Sequence, residues 1–306
     1  MLAFVFLAHC AAVVLGAASV VWLLSLLMRD TSIVDVFWGF GFALVGATCL
    51  FLAMNGAASN LTPYIVLLCA LPILWGLRLT AHLARRNLSV LGGHGEDGRY
   101  VAMRKRSGLP ERRWRRRAFF TIYLGQGVLI LIVSAPVWVA AAIAYRVYRT
   151  HGYQTPGIAG GPASYGVDIG VLSLIGTALW LAGVLFEWVG DAQLRAFLRR
   201  HADFDGPYES KPVLDTGLWA WTRHPNYFGN ALLWWGIFVV ACEAFLQSPH
   251  GQVWGLLSGV GPVVMTVLLT RVSGRDLLER RLSKRPLYRD YVARTPGFIP
   301  RPPARK

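Results

Sequence analysis

Charged side chains are scarce in this chain: 15% of its 306 residues are Asp, Glu, Lys or Arg, where a soluble domain carries about a quarter. The shortage falls on one sign. Sixteen acidic residues stand against 31 basic ones, a formal net charge of +15. Cysteine is scarce too. Cys10, Cys49, Cys69 and Cys242 stand singly in or beside apolar runs, without metal-ligand spacing, so they read as small buried hydrophobes and no metal site is expected. No nucleic-acid recognition motif accompanies the positive charge, so no nucleic-acid partner is expected. No internal repeat is visible, which argues against a transporter built from inverted repeats. The first apolar run lacks a basic leader and a small-residue cleavage site, and it reads as a retained span.

What the chain has is apolar length. Hydrophobic residues make up 55% of it. Several runs reach the roughly 20 residues needed to cross a hydrocarbon core about 30 Å thick. The pattern predicts an all-α integral membrane protein, one membrane domain over 1–306. Its seven spans fall at about 2–28, 33–54, 63–84, 119–146, 168–189, 227–247 and 253–272. The connection 85–117 holds 11 basic residues against Glu96, Asp97 and Glu111, which places it on the cytoplasmic side. Counting from there puts 190–226 and the C-terminal segment on the same side, with the N-terminus outside and the C-terminus cytoplasmic. The outer loops 55–62, 147–167 and 248–252 hold one basic residue, Arg149. Anionic membrane lipids are the expected partners of the inner face. The outer stretch "HGYQTPGIAGGPASYG" reads as a spacer, and "RPPARK" as a frayed tail.

Five polar clusters collect on that inner face. "WTRHPNYFGN", Trp221 to Asn230, precedes the sixth run. Pro225 is placed to start its helix, whose N-terminus carries free N–H groups and partial positive charge. Arg223 and His224 add cationic donors, and Asn226 and Tyr227 add hydrogen-bonding groups. The sum suits a phosphate or pyrophosphate; the plainer alternative is a snorkelling arginine beside an aromatic belt. In "FEWVGDAQLRAFLRR", Glu187, Asp191 and Arg195 share one helical face. They form either a solvated ladder or part of a site, and Glu187 needs a partner at membrane depth. In "WGLRLTAHLARRN", Arg78, His82 and Arg85 or Arg86 recur at helical spacing. They line a polar cavity or, for Arg85 and Arg86, snorkel. "GEDGRY" sets Glu96, Asp97 and Arg99 in a glycine-flanked turn, suited to an arginine or a ribose, with a metal the weaker alternative. Asp35, in "TSIVDVFWGFG", is either a functional intramembrane acid or a charge favoured by the helix dipole. After the last run, 274–292 reads as an amphipathic helix on the inner leaflet, with Arg275 and Glu279 nearest the span and best placed for a site.

The order and spacing of "DVFWGFGF", "WGLRL", "GEDGRY", "FEWVGDAQL", "GLWAWTRHPNYFGN", "WWG", "SGRDLLE" and "TPGFIP" resemble the steroid 5-alpha-reductase superfamily. The likeness is to its bacterial DUF1295 branch and runs over most of the chain. It implies a seven-helix membrane bundle in a bacterial inner membrane, with NADPH in a cytoplasm-facing cavity and a lipid-soluble enone entering from the bilayer. Asp191, Leu194 and Arg195 resemble the family's Asp-x-x-Leu-Arg pattern. Asn226, Tyr227, Phe228 and Gly229 resemble its Asn-Tyr-Phe-Gly, and Ser273, Gly274 and Arg275 its Ser-Gly-Arg. The resemblance therefore implies nucleotide contacts at Asp191, Arg195, Asn226, Tyr227 and Arg275; Arg223, His224 and Glu279, with Glu96, Asp97 and Arg99 of the acidic turn, join them on the charge and spacing read above. Asp35, Arg78 and His82 are expected at the reacting end. Two departures stand out. Asn230 replaces the family's glutamate, and Trp75 takes the place of the tyrosine that helps polarise the substrate ketone. Asp35 is the nearest acid to that role, and it donates a hydrogen bond only if protonated, as apolar burial favours.

The resulting expectation is an oxidoreductase on CH–CH groups, like 3-oxo-5-alpha-steroid 4-dehydrogenase, that passes hydride from NADPH to a lipophilic enone. The alternative is an S-adenosylmethionine-dependent membrane methyltransferase of the isoprenylcysteine carboxyl methyltransferase type, which shares the Arg-His-Pro-x-Tyr start of a span and an acidic C-terminal helix. A non-enzymatic transporter or lipid-binding protein ranks third, because it would spread polar residues through the spans.

Overall fold

The computed structural model describes residues 2–55, 61–91, 96–151, 167–247, 251–272 and 274–302. Most of the stretch 147–167, read above as an outer loop, lies outside the described residues, as do Ser273 and the end of the tail. Regular structure among the described residues is entirely helical. Seven helices have membrane-crossing length and apolarity: Leu2–Met28, Ile33–Met54, Pro63–Arg85, Glu111–Val133, Val171–Arg200, Pro225–Leu246 and Gly251–Leu282. The protein is an integral membrane protein. Outward-facing Phe4, Leu27, Leu174 and Leu256, each more than 60% exposed, suit a hydrocarbon solvent and not water.

The chain divides into two compact units, Met1–Ser173 with Ala241–Gly261, and Leu174–Val240 with Pro262–Lys306. The first unit holds α1 (Leu2–Met28), α2 (Ile33–Met54), α3 (Pro63–Leu91), α4 (Gly98–Ser107), α5 (Glu111–Ala118), α6 (Leu124–Val133) and α7 (Ala135–His151). Here α2 and α3 lie backbone to backbone. A Cβ on Gly39 would come within 2.7 Å of the Gly76 carbonyl oxygen, and one on Gly46 within 2.7 Å of the Cys69 oxygen. That antiparallel register sets Asp35, one turn before Gly39, toward the same end of the pair as His82. Trp75 is 1% exposed and packs on Phe42, ring centroids 5.3 Å apart.

The apolar run read as one span over 119–146 is two helices, α6 and α7, broken at Ser134. Pro136 explains the break, since it brings no N–H for the preceding turn. The Trp138 indole N–H donates across the break to the Leu131 carbonyl at 3.0 Å. The crossing helix starts earlier, at Glu111, where arginine-rich α5 runs through a π-helical turn, Phe119–Tyr123, directly into apolar α6.

The second unit holds most of α8 (Val171–Arg200), then α9 (Leu218–Trp221), most of α10 (Pro225–Leu246), most of α12 (Val260–Val267), α13 (Arg275–Leu282) and α14 (Pro286–Arg294); α11 (Gly251–Ser258) belongs to the first. Glycines every seventh residue on α8, Gly176, Gly183 and Gly190, face α10. Added Cβ atoms at the first two would meet the Gly236 and Gly229 carbonyl oxygens at 2.5 and 2.6 Å. Such close approach replaces the hydrophobic drive missing between helices in lipid. The segment read as one interfacial helix over 274–292 is α13 and α14, parted where Pro286 starts a new helix.

Candidate functional site

In the second unit, α10 begins at Pro225, as its missing N–H favours. The residues before it are stitched to the segment that follows α14. The Arg223 backbone N–H donates to the Pro296 carbonyl at 2.9 Å, the Thr222 hydroxyl to the Phe298 carbonyl at 2.8 Å, and the Arg301 N–H to the Trp221 carbonyl at 3.0 Å. The Arg223 side chain completes the join. Its Nε and Nη2 donate to the two oxygens of Glu279 at 2.9 and 3.0 Å, and its Nη1 to the carbonyls of Val292 and Thr295. Most of the guanidinium's five donors are thereby used.

His224, 2% exposed, shares the Glu279 acceptor through Nε2 at 2.8 Å. Burial holds its pKa below the ordinary 6.5, against the pull of the Glu279 carboxylate. A neutral imidazole with a proton on Nε2 fits that contact. Its ring stacks on Tyr227, with centroids 5.2 Å apart and planes within 5°. Asn226 donates through Nδ2 to Asp191 Oδ1 at 3.1 Å and accepts the Tyr227 N–H at 3.0 Å. Asp191 is buried and Arg195, one turn further along α8, is exposed.

Beside this clamp opens a cleft of about 380 Å³ whose cationic walls are Arg271, Arg275 and Arg301, and whose floor is Gly297, Phe298 and Ile299. Gly297 is open for a reason. A Cβ there would stand 3.0 Å from Arg223 Nη2 and 3.4 Å from Arg275 Nη1. Asp276 steadies Arg275, Oδ1 to Nη2 at 2.7 Å, and reaches Arg271 at 3.5 Å. The balance stays positive, so the cleft can accept an anion with a flat apolar part against Phe298.

The first unit carries a second cluster. Asp35 accepts from the Tyr100 hydroxyl at 2.6 Å and from Arg99 Nη2 at 2.5 Å. Asp97 caps α4 by accepting the Arg99 N–H at 2.8 Å, and it also holds the Arg99 side chain. Glu96 accepts the Thr31 N–H at 3.0 Å and pairs with Arg104. The acidic turn thus binds arginines of its own helix. Burial, then the Asp35 charge, pushes the Tyr100 phenol well above its usual range, so it stays a donor. Arg78 and His82 lie half-buried one turn apart on α3. Among the described residues, no group of three or more His, Cys, Asp or Glu is placed to hold a metal ion.

Tyr100, Arg271 and Arg301 were not singled out from the sequence. Tyr100 sits inside "GEDGRY", 65 residues from its acceptor. Arg271 lies at the end of the seventh predicted span, and Arg301 opens the stretch read as a frayed tail, though its N–H is held by the Trp221 carbonyl; no local pattern joins the two.

The family described as "Protein of unknown function (DUF1295)" matches residues 21–295. A Schizosaccharomyces pombe protein, "Uncharacterized protein C594.04c", is 25% identical over 302 residues, covering 92% of this chain and 76% of the relative. No solved structure matches.

Proposed function

The chain belongs to the DUF1295 family, and from that premise we propose that it is an NADPH-dependent membrane ene-reductase. Its substrate would be a lipophilic molecule (a steroid, isoprenoid or acyl lipid) with a C=C bond conjugated to a carbonyl. The observation that carries this reading is the cleft walled by Arg271, Arg275 and Arg301. Its volume falls in the roughly 300–1,000 Å³ range of small-molecule sites. Three guanidiniums suit phosphate oxygens, and Phe298 offers a flat ring. Gly297 leaves the space a side chain would fill. The residues fit the phosphate-bearing half of the dinucleotide.

When bound, the cofactor supplies the hydride, and the protein supplies binding and orientation. Arg275, Arg271 and Arg301 neutralise phosphate charge. Arg223, His224 and Glu279 act one step back, by fixing the Pro296–Phe298 floor. Asn226 and Asp191 hold the start of α10, with Tyr227 and Arg195 beside them. Glu96, Asp97 and Arg99 order the turn that carries Tyr100. For the reacting end the proposed residues are Asp35, Arg78 and His82 of the first unit, where Tyr100 stays protonated and gives its one hydrogen bond to the Asp35 carboxylate, fixing that acid. The cofactor face is cytoplasmic in this reading, because basic residues concentrate in 85–117 and 271–306, and the membrane is a bacterial inner membrane.

A second reading, S-adenosylmethionine-dependent methyl transfer, is favoured by one contact. Arg223 ties the Arg-His-Pro start of α10 to an acid of the C-terminal helix, Glu279. One experiment separates the two. The protein is purified in mild detergent and denatured, and released small molecules are identified by mass spectrometry, for wild type and for Arg275→Gln with Arg301→Gln. NADP(H) that is lost from the double variant supports the reductase. S-adenosyl compounds move the reaction to methyl transfer. Failure to retain or bind either cofactor on direct titration overturns both.

A further inference from the structure

Helix α1 ends in an unusual way. The Asp30 N–H reaches back to the Ser25 carbonyl at 3.2 Å, the six-to-one bond of a Schellman cap. The residue in left-handed conformation at such an end is usually glycine. Here it is Arg29, φ +54°, the lone positive-φ residue other than glycine among the described residues. An arginine in that conformation is strained by about 1 kcal/mol or more. A side chain kept at that cost points to a use for its guanidinium.

Arg29 lines a groove with Arg104, Arg115, Trp22, Trp114, Tyr123 and one acid, Glu111. The space within it measures about 20 Å³, room for about one water. That excludes a nucleotide and a whole phosphate group, and admits a single oxygen of an anion seated at its mouth. Arg104 Nε is buried in this region without a hydrogen-bond partner. Glu111 holds Arg115 at 2.8 Å and reaches Arg104 at 3.8 Å, while Glu96 pairs with Arg104. Arg29 makes no ion pair among the described residues. The same helices, α4 and α5, expose Lys105, Arg106, Arg112, Arg113, Arg116 and Arg117.

What adjoins the groove decides the ligand. It lies where α1 ends and where α5 enters apolar α6, two edges of membrane-crossing helices. Leu27 is 80% exposed and Phe120 61%, so apolar chains have a surface beside the cationic one. A free anion would not need that surface.

We propose that the mouth of this groove seats the phosphate of an anionic phospholipid, one oxygen reaching in among Arg29, Arg104 and Arg115 and the acyl chains lying along α1. The site lies in the first unit and does not rest on the reductase reading.

The test uses the full chain in detergent, depleted of lipid and titrated with phosphatidylglycerol, phosphatidylcholine or inorganic phosphate. Thermal unfolding and native mass spectrometry are the readouts. Wild type is stabilised by phosphatidylglycerol and retains it through the spectrometer. Arg29→Gly relieves the strained backbone, so its lipid-free melting temperature stays level or rises, while its phosphatidylglycerol affinity falls about fivefold. Arg112→Gln with Arg113→Gln keeps the retained lipid. The proposal is overturned if Arg29→Gly binds phosphatidylglycerol as wild type does or melts lower without lipid. It is also overturned if phosphatidylcholine or inorganic phosphate stabilises as well.

Discussion

The guanidinium of Arg223 forks onto both oxygens of Glu279, at 2.9 and 3.0 Å, across 56 residues of chain. Their side chains are 11% and 18% exposed, so water screens the pair little. Glu279→Gln keeps the shape and removes the charge, and should cost about 2–3 kcal/mol. Melting in detergent gives the loss. Trypsin should also cut faster at Arg294, and an unchanged digestion pattern would mean that the fork does not hold the segment.

His224 shares that carboxylate as a neutral ring. Its folded pKa lies below the ordinary 6.5 because burial disfavours the charged form. The contribution to stability is therefore complete above about pH 6.5 and lost as pH falls through the folded pKa. Melting temperature should drop on the acid side, with a smaller drop in His224→Asn. A ring that NMR finds titrating above 6.5 would reverse the sign.

Asp35 and Tyr100 should be energetically coupled. Asp35→Asn leaves Arg99 and the phenol a neutral acceptor and is expected to cost about 2–3 kcal/mol, and Tyr100→Phe about 1. A double-mutant cycle should return a coupling of at least roughly 0.5 kcal/mol. Strict additivity would reduce the contact to coincidence.

The glycine seam between α8 and α10 makes a steric prediction. Ala at Gly183 or Gly229 puts a methyl 2.5–2.6 Å from backbone atoms, and should cost about 1–3 kcal/mol and reduce the monodisperse yield. Gly16 has nothing within 4 Å of an added Cβ, so Gly16→Ala should be neutral or mildly stabilising. Equal yields from all three would remove the seam as a source of stability.

The seven long helices were legible because crossing a bilayer demands apolar length, and length survives in a sequence. The break at Ser134 was not, since apolarity is continuous there and a lone proline is compatible with a kinked span. Polar residues near the ends of spans could be picked out one by one. Their pairings could not: Arg223 meets Glu279, and Tyr100 meets Asp35, only through tertiary packing. The cleft was least legible of all. It is shaped by the backbone of Pro296–Ile299 and by a side chain that Gly297 lacks.

The stitching of residues 221–224 to 296–301 also bears on biosynthesis. When Arg223 leaves the ribosome, none of its side-chain acceptors exists, because Glu279, Val292 and Thr295 are still untranslated. The start of α10 must wait at the bilayer edge with an unmatched cation while the next apolar stretch is inserted. This corner of the protein is therefore completed late, and an interruption of synthesis before codon 279 leaves a chain that is inserted but unlocked.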